Sequence, residues 1–176
     1  EQAVRLADKL SFEEGACLGV PGLTAWLLVL ADGPVDGNTL LSQGAAGAVG
    51  HMALQVALHQ NADVIAVVSS DAGAEHVGKI AQVPTINRHT EDVAARVCEL
   101  TDGTGVDRVI EVDLAANLGL SSTVLKSEGM ISTYASSGDA QNLLLRMALK
   151  NAVVRFMVLH SVPRAAIDQA RADIAD

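Results

Sequence analysis

The residues from Gln43 to Gly50 form a glycine-rich turn of the kind that binds the pyrophosphate of a dinucleotide. They follow a short aliphatic strand that begins at Thr39 and lead into an apolar helix predicted over 48–60. Gly47 lets the main chain approach the phosphates, and Gly50 lets the helix pack closely on the sheet. The start of the helix then offers free N–H groups and the positive end of its dipole to the anion.

Apolar runs and helical patterns alternate from this turn to the end of the chain. The strands are predicted at 39–43, 63–69, 83–86, 107–111, 129–134 and 152–159. The helices are predicted at 48–60, 71–81, 91–101, 114–126, 140–150 and 163–175. Such alternation requires right-handed crossovers, and it predicts an α/β protein with a Rossmann-type doubly wound, six-stranded parallel sheet covered by helices on both faces. Two further helices are expected before the first strand, one capped by Ser11 and one over 21–31.

The composition supports a buried parallel sheet and argues against nucleic acid as a partner. Apolar residues make up 49% of the 176 residues and aromatic residues only 2%, so the core must be aliphatic. A net charge of −9 opposes binding to a phosphate backbone, and the scarcity of aromatic rings removes stacking platforms for single strands.

Neither a metal site nor a membrane segment is indicated by the sequence. Cys17 and Cys98 lie far apart, without further Cys or His at zinc-ligand spacing, so we expect no metal and no disulfide. No stretch reaches the roughly 18 consecutive apolar residues of a membrane span. The first residues do not show the basic-then-apolar pattern of a signal peptide, so we expect none. We therefore expect a cytoplasmic protein without a membrane partner.

The end of the second predicted strand bears on the choice between NADP and NAD. In nicotinamide-binding folds an acidic residue about 20 residues past the glycines holds the adenosine ribose 2′-hydroxyl. Here Val68 is followed by Ser69 and Ser70, which cannot repel a 2′-phosphate and can donate hydrogen bonds to it. The sequence therefore favours NADP, although both serines are equally suited to capping the next helix. Asp71 opposes phosphate binding, and Arg88 is the nearest candidate counter-charge.

Several blocks of the sequence resemble the medium-chain dehydrogenases/reductases, and within them the zinc-independent quinone oxidoreductases of the zeta-crystallin-like group. The blocks are Lys9–Ala16, Gly19–Trp26, Gly44–Gly50, Gly103–Asp107 and Glu111–Asn117. In the third block, Ala48 replaces a glycine that the family usually keeps. The resemblance covers nearly the whole chain and is more specific than the glycine turn alone.

The resemblance implies cofactor contacts in three regions of the chain. The pyrophosphate is expected against Ala46, Gly47, Ala48 and Val49, with Gly50 behind them in the helix. The 2′-phosphate is expected near Ser69, Ser70 and Arg88. On the nicotinamide side, the expected contacts are Asn117, Tyr134, Ala135, Ser136 and Ser137.

The resemblance also implies an activity and a domain organisation. The full enzyme would transfer a hydride from NADPH to a quinone or an α,β-unsaturated carbonyl, without a metal. Residues 1–38 would form lead-in helices from the domain crossing and residues 39–176 the NADP-binding Rossmann domain, while the GroES-like catalytic domain of the family would be absent. We therefore expect this chain alone to bind NADPH without reducing quinones. The aliphatic strand 152–159 would lie at a sheet edge, where pairing with a second copy gives a homodimer.

Two alternative functions stay open at this point. The chain is also compatible with the enoyl reductase module of an acyl-chain synthase, or with a non-catalytic nucleotide-binding or dimerisation module. A short-chain dehydrogenase is disfavoured because that family needs a Tyr-x-x-x-Lys pair, whereas Tyr134 is followed four residues later by Gly138. The histidines are scattered and are interpreted as surface residues, with a slight functional weight only for His51.

Overall fold

The strands form one parallel sheet in the computed structural model, which describes residues 5–137, 147 and 149–175. They are β1 (Thr39–Ser42), β2 (Asp63–Val68), β3 (Thr85–Asn87), β4 (Val106–Glu111), β5 (Leu125–Thr133) and β6 (Val153–Phe156). Within these residues the spatial order is β3-β2-β1-β4-β5-β6, and every neighbouring pair is parallel. The order reverses between β1 and β4, which is where such sheets open a binding crevice at their carboxyl edge. The predicted doubly wound α/β fold is confirmed.

Helices cover both faces of this sheet. They are α1 (Phe12–Cys17), α2 (Leu23–Leu30), α3 (Ala48–His59), α4 (Asp71–Ile80), α5 (Val93–Leu100), α6 (Leu114–Val124) and α7 (Arg164–Ala175). A π-helical turn, Leu18–Gly22, joins α1 to α2, and a short 3₁₀ helix, Leu159–Ser161, precedes α7. The predicted cap of α1 is present, because the Glu14 N–H donates to Ser11 Oγ and the Ser11 N–H donates to Glu14 Oε2.

The last two strands differ from their predicted bounds. Strand β5 begins at Leu125 instead of residue 129, because Leu125 pairs with Val106 directly after α6 and the register then shifts before Arg108. Strand β6 ends at Phe156 instead of residue 159, and Leu159 already belongs to the short 3₁₀ helix that follows. The helix predicted over 140–150 falls largely outside the described residues.

Two aliphatic cores sandwich the sheet. Alternation along β1 sends Leu40 into the core beneath α2 and α3, and Leu41 into the core beneath α5 and α6. Leu27 and Leu54 are buried in the first core, and Leu118 in the second. The sheet is therefore buried on both faces, as the continuous aliphatic strands predict.

The helical stretch Phe12–Leu30 is long and apolar enough, by length and composition, to cross a membrane. Its second half, α2, is buried against α3 and α7, and Leu27 and Leu28 are almost fully enclosed there. Core packing therefore accounts for the apolar character of α2.

Two histidines make a contact between α3 and α4 that the sequence pattern does not reveal. His51 Nδ1 lies 3.0 Å from His76 Nε2, and the two rings are stacked with their centroids 5.1 Å apart. His76 is exposed as expected, whereas His51 is partly buried. Burial, followed by the charge of His76, lowers the pKa of His51. The two imidazole rings are therefore part of the packing between these helices.

The histidine pair should make the folded state sensitive to mild acid. Because the pKa of His51 is lower in the folded than in the unfolded chain, the unfolded state binds more protons as the pH falls through this range. Wild-type protein should lose more stability between about pH 7.5 and 5.5 than the His51→Gln variant, as measured by urea midpoints. His59→Gln, an exposed change on the same helix, should retain the wild-type pH dependence. Equal pH dependence in His51→Gln and wild type would contradict this account.

Candidate functional site

The turn between β1 and α3 leaves an open cradle of main-chain atoms. Gly44 has a φ of +61°, which favours glycine, and the Gly47 N–H donates to the Gly44 carbonyl at 2.8 Å. Ala46, Gly47 and Ala48 are all exposed. Gly47 caps α3 without a side-chain hydrogen bond, so the N–H groups of the first turn are left for an external acceptor.

Gly47 and Gly50 of this turn are needed for different structural reasons. A Cβ on Gly50 would lie 2.3 Å from the Gly44 carbonyl oxygen, so Gly50 allows α3 to pack against the turn. A Cβ on Gly47 would approach only that same oxygen, at 3.2 Å, and would otherwise enter the open cradle. The cradle thus depends on the missing side chain of Gly47, and its geometry fits an anionic phosphate group.

A buried amide lies at the base of the same turn. Gln43 is 3% exposed, and its Nε2 has no hydrogen-bond partner among the described residues. Its backbone N–H donates to the Ile110 carbonyl and so joins the end of β1 to β4. A buried donor without a partner is costly in a folded protein, which suits a position next to a polar ligand.

The region beyond β2 carries one unpaired cation and one occupied carboxylate. The exposed Arg88 makes no ion pair among the described residues, and its backbone N–H donates to the Val68 carbonyl at 3.0 Å. The Asp71 carboxylate accepts a hydrogen bond from Asn87 Nδ2 at 2.9 Å. Ser70 caps α4 by accepting from the Gly73 N–H, so the hydroxyl hydrogen of Ser70 is still available to donate. Ser69 is exposed beside it.

The end of β4 holds a buried carboxylate. Glu111 is fully buried, and its Oε1 accepts from the N–H groups of Val112 and Asp113, both at 2.9 Å. Oε1 also accepts from Asn117 Nδ2 at 2.8 Å, and Oε2 accepts from Ser121 Oγ at 2.7 Å. Asn117 therefore does not cap α6, since Asp113 fills that position; its amide is fixed by Glu111 instead.

The segment after β5 is tied to the same turn. The Ser137 N–H and hydroxyl both donate to the Asp113 carboxylate, and these bonds, the hydroxyl's first, lower the pKa of Asp113. The Leu114 N–H donates to the Ala135 carbonyl at 3.1 Å. Burial, and then the charge of Glu111, raises the pKa of Tyr134. Ala135, Ser136 and Ser137 are exposed at this edge.

The predicted site residues therefore lie at the carboxyl ends of β1, β2, β3, β4 and β5, on one edge of the sheet. The sequence did not predict a role for the side chain of Gln43 or for Glu111. For Glu111 there was a signal, because a single carboxylate ends an otherwise aliphatic strand. For Gln43 there was none, because only the tertiary structure leaves its amide without a partner among the described residues.

Two cavities lie away from this edge, where the N-terminal helices meet α7. One of about 410 Å³ is lined by residues that include Arg5, Leu18 and Ile174. Another of about 860 Å³ is lined by residues that include Trp26, Met52 and Ile174. Neither is lined by a residue predicted to contact the cofactor. Among the described residues no group of three His, Cys, Asp or Glu side chains is placed to hold a metal ion.

An acidic residue at the cradle should weaken anion binding while the fold is retained. Gly47 has φ −82° and ψ 165°, an extended conformation that any residue adopts, and Asp is a favoured helix cap. Gly47→Asp should fold with wild-type stability or better, yet bind NADPH at least about tenfold more weakly in a calorimetric titration, because its carboxylate would occupy the phosphate position. Gly78→Asp adds the same charge where α4 has open space, and should bind as wild type does. Undiminished affinity in Gly47→Asp would remove the cradle from the site.

This chain is similar in sequence to a known protein family and to curated proteins. The family model described as zinc-binding dehydrogenase matches residues 48–171. A 2-haloacrylate reductase from Burkholderia sp is 33% identical over 137 residues, which is 76% of this chain and 41% of that protein.

Solved structures share the fold over nearly all of this chain. A quinone oxidoreductase from Pseudomonas syringae is 32% identical with a TM-score of 0.81, covering 98% of this chain and 55% of that one. The Escherichia coli quinone oxidoreductase in complex with NADPH is 25% identical with a TM-score of 0.84, at the same coverage. This chain thus spans about half the length of these proteins. It belongs to the zinc-binding dehydrogenase family, in the medium-chain dehydrogenase/reductase superfamily, and resembles the quinone oxidoreductases through their nucleotide-binding domain.

Proposed function

We propose that this domain binds NADPH across the carboxyl edge of the sheet, for hydride transfer to a quinone or an α,β-unsaturated carbonyl. The observation that carries the proposal is the cradle at the start of α3. Gly47 leaves it open, and the N–H groups of the first helical turn have no side-chain cap. A pyrophosphate suits these groups because it is anionic and its oxygens accept hydrogen bonds. Ala46, Ala48 and Val49 would form the rest of this contact.

The groups beyond β2 support NADPH over NADH. A hydrogen bond from Asn87 holds the nearest carboxylate, Asp71, and the exposed Arg88, which makes no ion pair among the described residues, would supply the positive charge for a 2′-phosphate. Ser69 and Ser70 would add hydroxyl groups that can donate hydrogen bonds to the same phosphate. The nicotinamide would lie at the carboxyl ends of β4 and β5, across the point between β1 and β4 where the strand order reverses.

On the nicotinamide side this chain would orient the cofactor and restrict water. The bound nicotinamide supplies the hydride. Asn117, with its amide hydrogens held by Glu111, presents its carbonyl oxygen as an acceptor for a ribose hydroxyl. Tyr134, Ala135, Ser136 and Ser137 would line the ring, and the bonds between Ser137 and Asp113 restrict the movement of that segment. Fixed geometry of this kind is what positions a reacting atom.

The names of the similar proteins support the substrate class. Quinones and 2-haloacrylates share an electron-poor carbon–carbon double bond conjugated to a carbonyl or carboxylate, which can accept a hydride. An acyl-chain enone has the same character, so enoyl reduction falls within this proposal. We infer that the transfer takes place in a protein where residues 39–176 act as the cofactor domain.

Removal of the Arg88 charge should reduce the preference for NADPH. The wild-type domain should bind NADPH more tightly than NADH in fluorescence titrations. Arg88→Gln should weaken NADPH binding by about tenfold and leave NADH binding unchanged, because a charge-assisted contact with the 2′-phosphate is lost. Lys79→Gln removes an equal charge from the far end of α4 and should have little effect. Equal or tighter binding of NADH by the wild type would refute the assignment.

The sheet edge at β6 supports self-association. Among the described strands β6 pairs only with β5, so its other side is unpaired. Val153 and Phe156 are 45% and 63% exposed there. Arg155, the charge that would oppose pairing, forms an ion pair with Asp32 of the same chain. We propose a homodimer in which two β6 strands meet across a two-fold axis.

A charge at the edge strand should separate such a dimer. Light scattering during gel filtration should give a dimer for wild type and a monomer for Phe156→Lys, since a lysine would replace an exposed apolar side chain on each of the two paired strands. Phe12→Lys changes an equally apolar side chain that is 87% exposed outside the sheet, and should stay dimeric. A monomeric wild type at high concentration, or equal behaviour of the two variants, would contradict the dimer.

A further inference from the structure

Glu111 differs from every other described carboxylate because it is fully buried. It closes β4 at the point where the strand order reverses, which is the edge proposed for the nicotinamide. Buried carboxylates are usually paired with a cation, since removing an ion from water is costly. The partners of Glu111 therefore decide what its charge does.

Only neutral donors surround this carboxylate in the described structure. They are two backbone N–H groups, the Asn117 amide and the Ser121 hydroxyl. Together they donate four hydrogen bonds to its two oxygens. The buried cation of the same strand, Arg108, donates to the Leu28 and Val29 carbonyls and so faces α2. The negative charge of Glu111 is thus solvated by dipoles but not neutralised by a salt bridge.

The field of this charge reaches the neighbouring strand end. Glu111 is in register with Thr133 of β5, so its carboxylate lies beside the start of the segment that begins at Tyr134. The raised pKa of Tyr134, due to burial and then to Glu111, is consistent with that placement. Away from bulk water a charge acts over several ångströms with little screening.

The two redox forms of the cofactor differ in charge at the ring. The reduced nicotinamide is neutral. Loss of a hydride, which is two electrons and one proton, leaves a pyridinium cation, and the acceptor gains that hydride. A fixed negative charge beside the ring therefore stabilises the oxidised form selectively.

We propose that Glu111 is a positioning residue that tunes the redox balance of the bound cofactor by favouring NADP⁺ over NADPH and thereby making NADPH a stronger hydride donor. This inference rests on the proposed cofactor function. It assigns the carboxylate an electrostatic role in addition to holding the turn between β4 and α6.

The test is the ratio of the two dissociation constants, measured by calorimetry for NADP⁺ and NADPH with the same protein. Glu111→Gln keeps the shape and the oxygen that accepts from Val112, Asp113 and Asn117, but removes the charge. In this variant the affinity for NADP⁺ should fall by about tenfold relative to the affinity for NADPH, which is equivalent to about 30 mV in a two-electron potential. If Glu111 had only a structural role, the loss of a hydrogen bond would weaken the binding of NADP⁺ and NADPH equally, and the ratio would not change.

Asp102→Asn provides the control, because it removes an exposed carboxylate from the turn before β4, at the opposite edge of the sheet, and Asn tolerates the positive φ of that position. Its ratio should change less than about twofold, since water and distance screen that charge. An unchanged ratio in Glu111→Gln, or an equal shift in Asp102→Asn, would overturn the proposal.

A wild-type measurement decides the matter if Glu111→Gln does not fold. An apolar crevice without a charge would bind the neutral, reduced ring more tightly than the cationic, oxidised ring. If the charge of Glu111 offsets this preference, wild type should bind NADP⁺ at least as tightly as NADPH. Tenfold tighter binding of NADPH would overturn the role of Glu111 while leaving the cofactor site intact. Binding of neither form would instead refute the cofactor function, and the inference with it.

Discussion

The close approach of α3 to the turn after β1 is the constraint on which the rest of the site depends. Gly50 permits it, because any side chain there would meet the Gly44 carbonyl oxygen. With the helix held against the turn, the N–H groups of its first residues point to the carboxyl edge of the sheet. Strand β1 is hydrogen-bonded to both β2 and β4, so the ends of these strands lie on either side of the same turn.

A second set of contacts holds the other half of that edge. Glu111 ties the start of α6 to the end of β4, and Asp113 ties the segment after β5 to the same turn. These bonds are made by short side chains and backbone groups, so few rotamers need to be ordered when a ligand binds. The carboxyl edge is therefore a preorganised surface, while the aliphatic cores beneath it provide the rigidity.

The arrangement of strands and helices was predictable because periodicity and turn chemistry are local properties. Gly47, Gly50 and the Ser11 cap follow from the identity and spacing of neighbouring residues. The start of β5 was not predictable, because the pairing of Leu125 with Val106 is set by the neighbouring strand and the bulge after it. The domain boundary expected after residue 38 stays a prediction.

The site was only partly readable from the sequence for the same reason. The absence of an acid after β2 was visible, yet the engagement of Asp71 by Asn87 requires two elements to meet. The stacking of His51 on His76 and the unpaired Gln43 amide likewise arise from contacts between distant segments. Asn117 was expected on the nicotinamide side, but its fixed amide depends on Glu111.

The most direct test of the account is to map NADPH binding on the wild-type domain by NMR, following each backbone amide through a titration. The largest shifts should occur at Ala46–Val49, with further changes at Ser69, Arg88 and the segment 134–137. Shifts confined to the cavity lined by Arg5, Leu18 and Ile174, with Gly47 and its neighbours unmoved, would contradict a cofactor site at the carboxyl edge of the sheet.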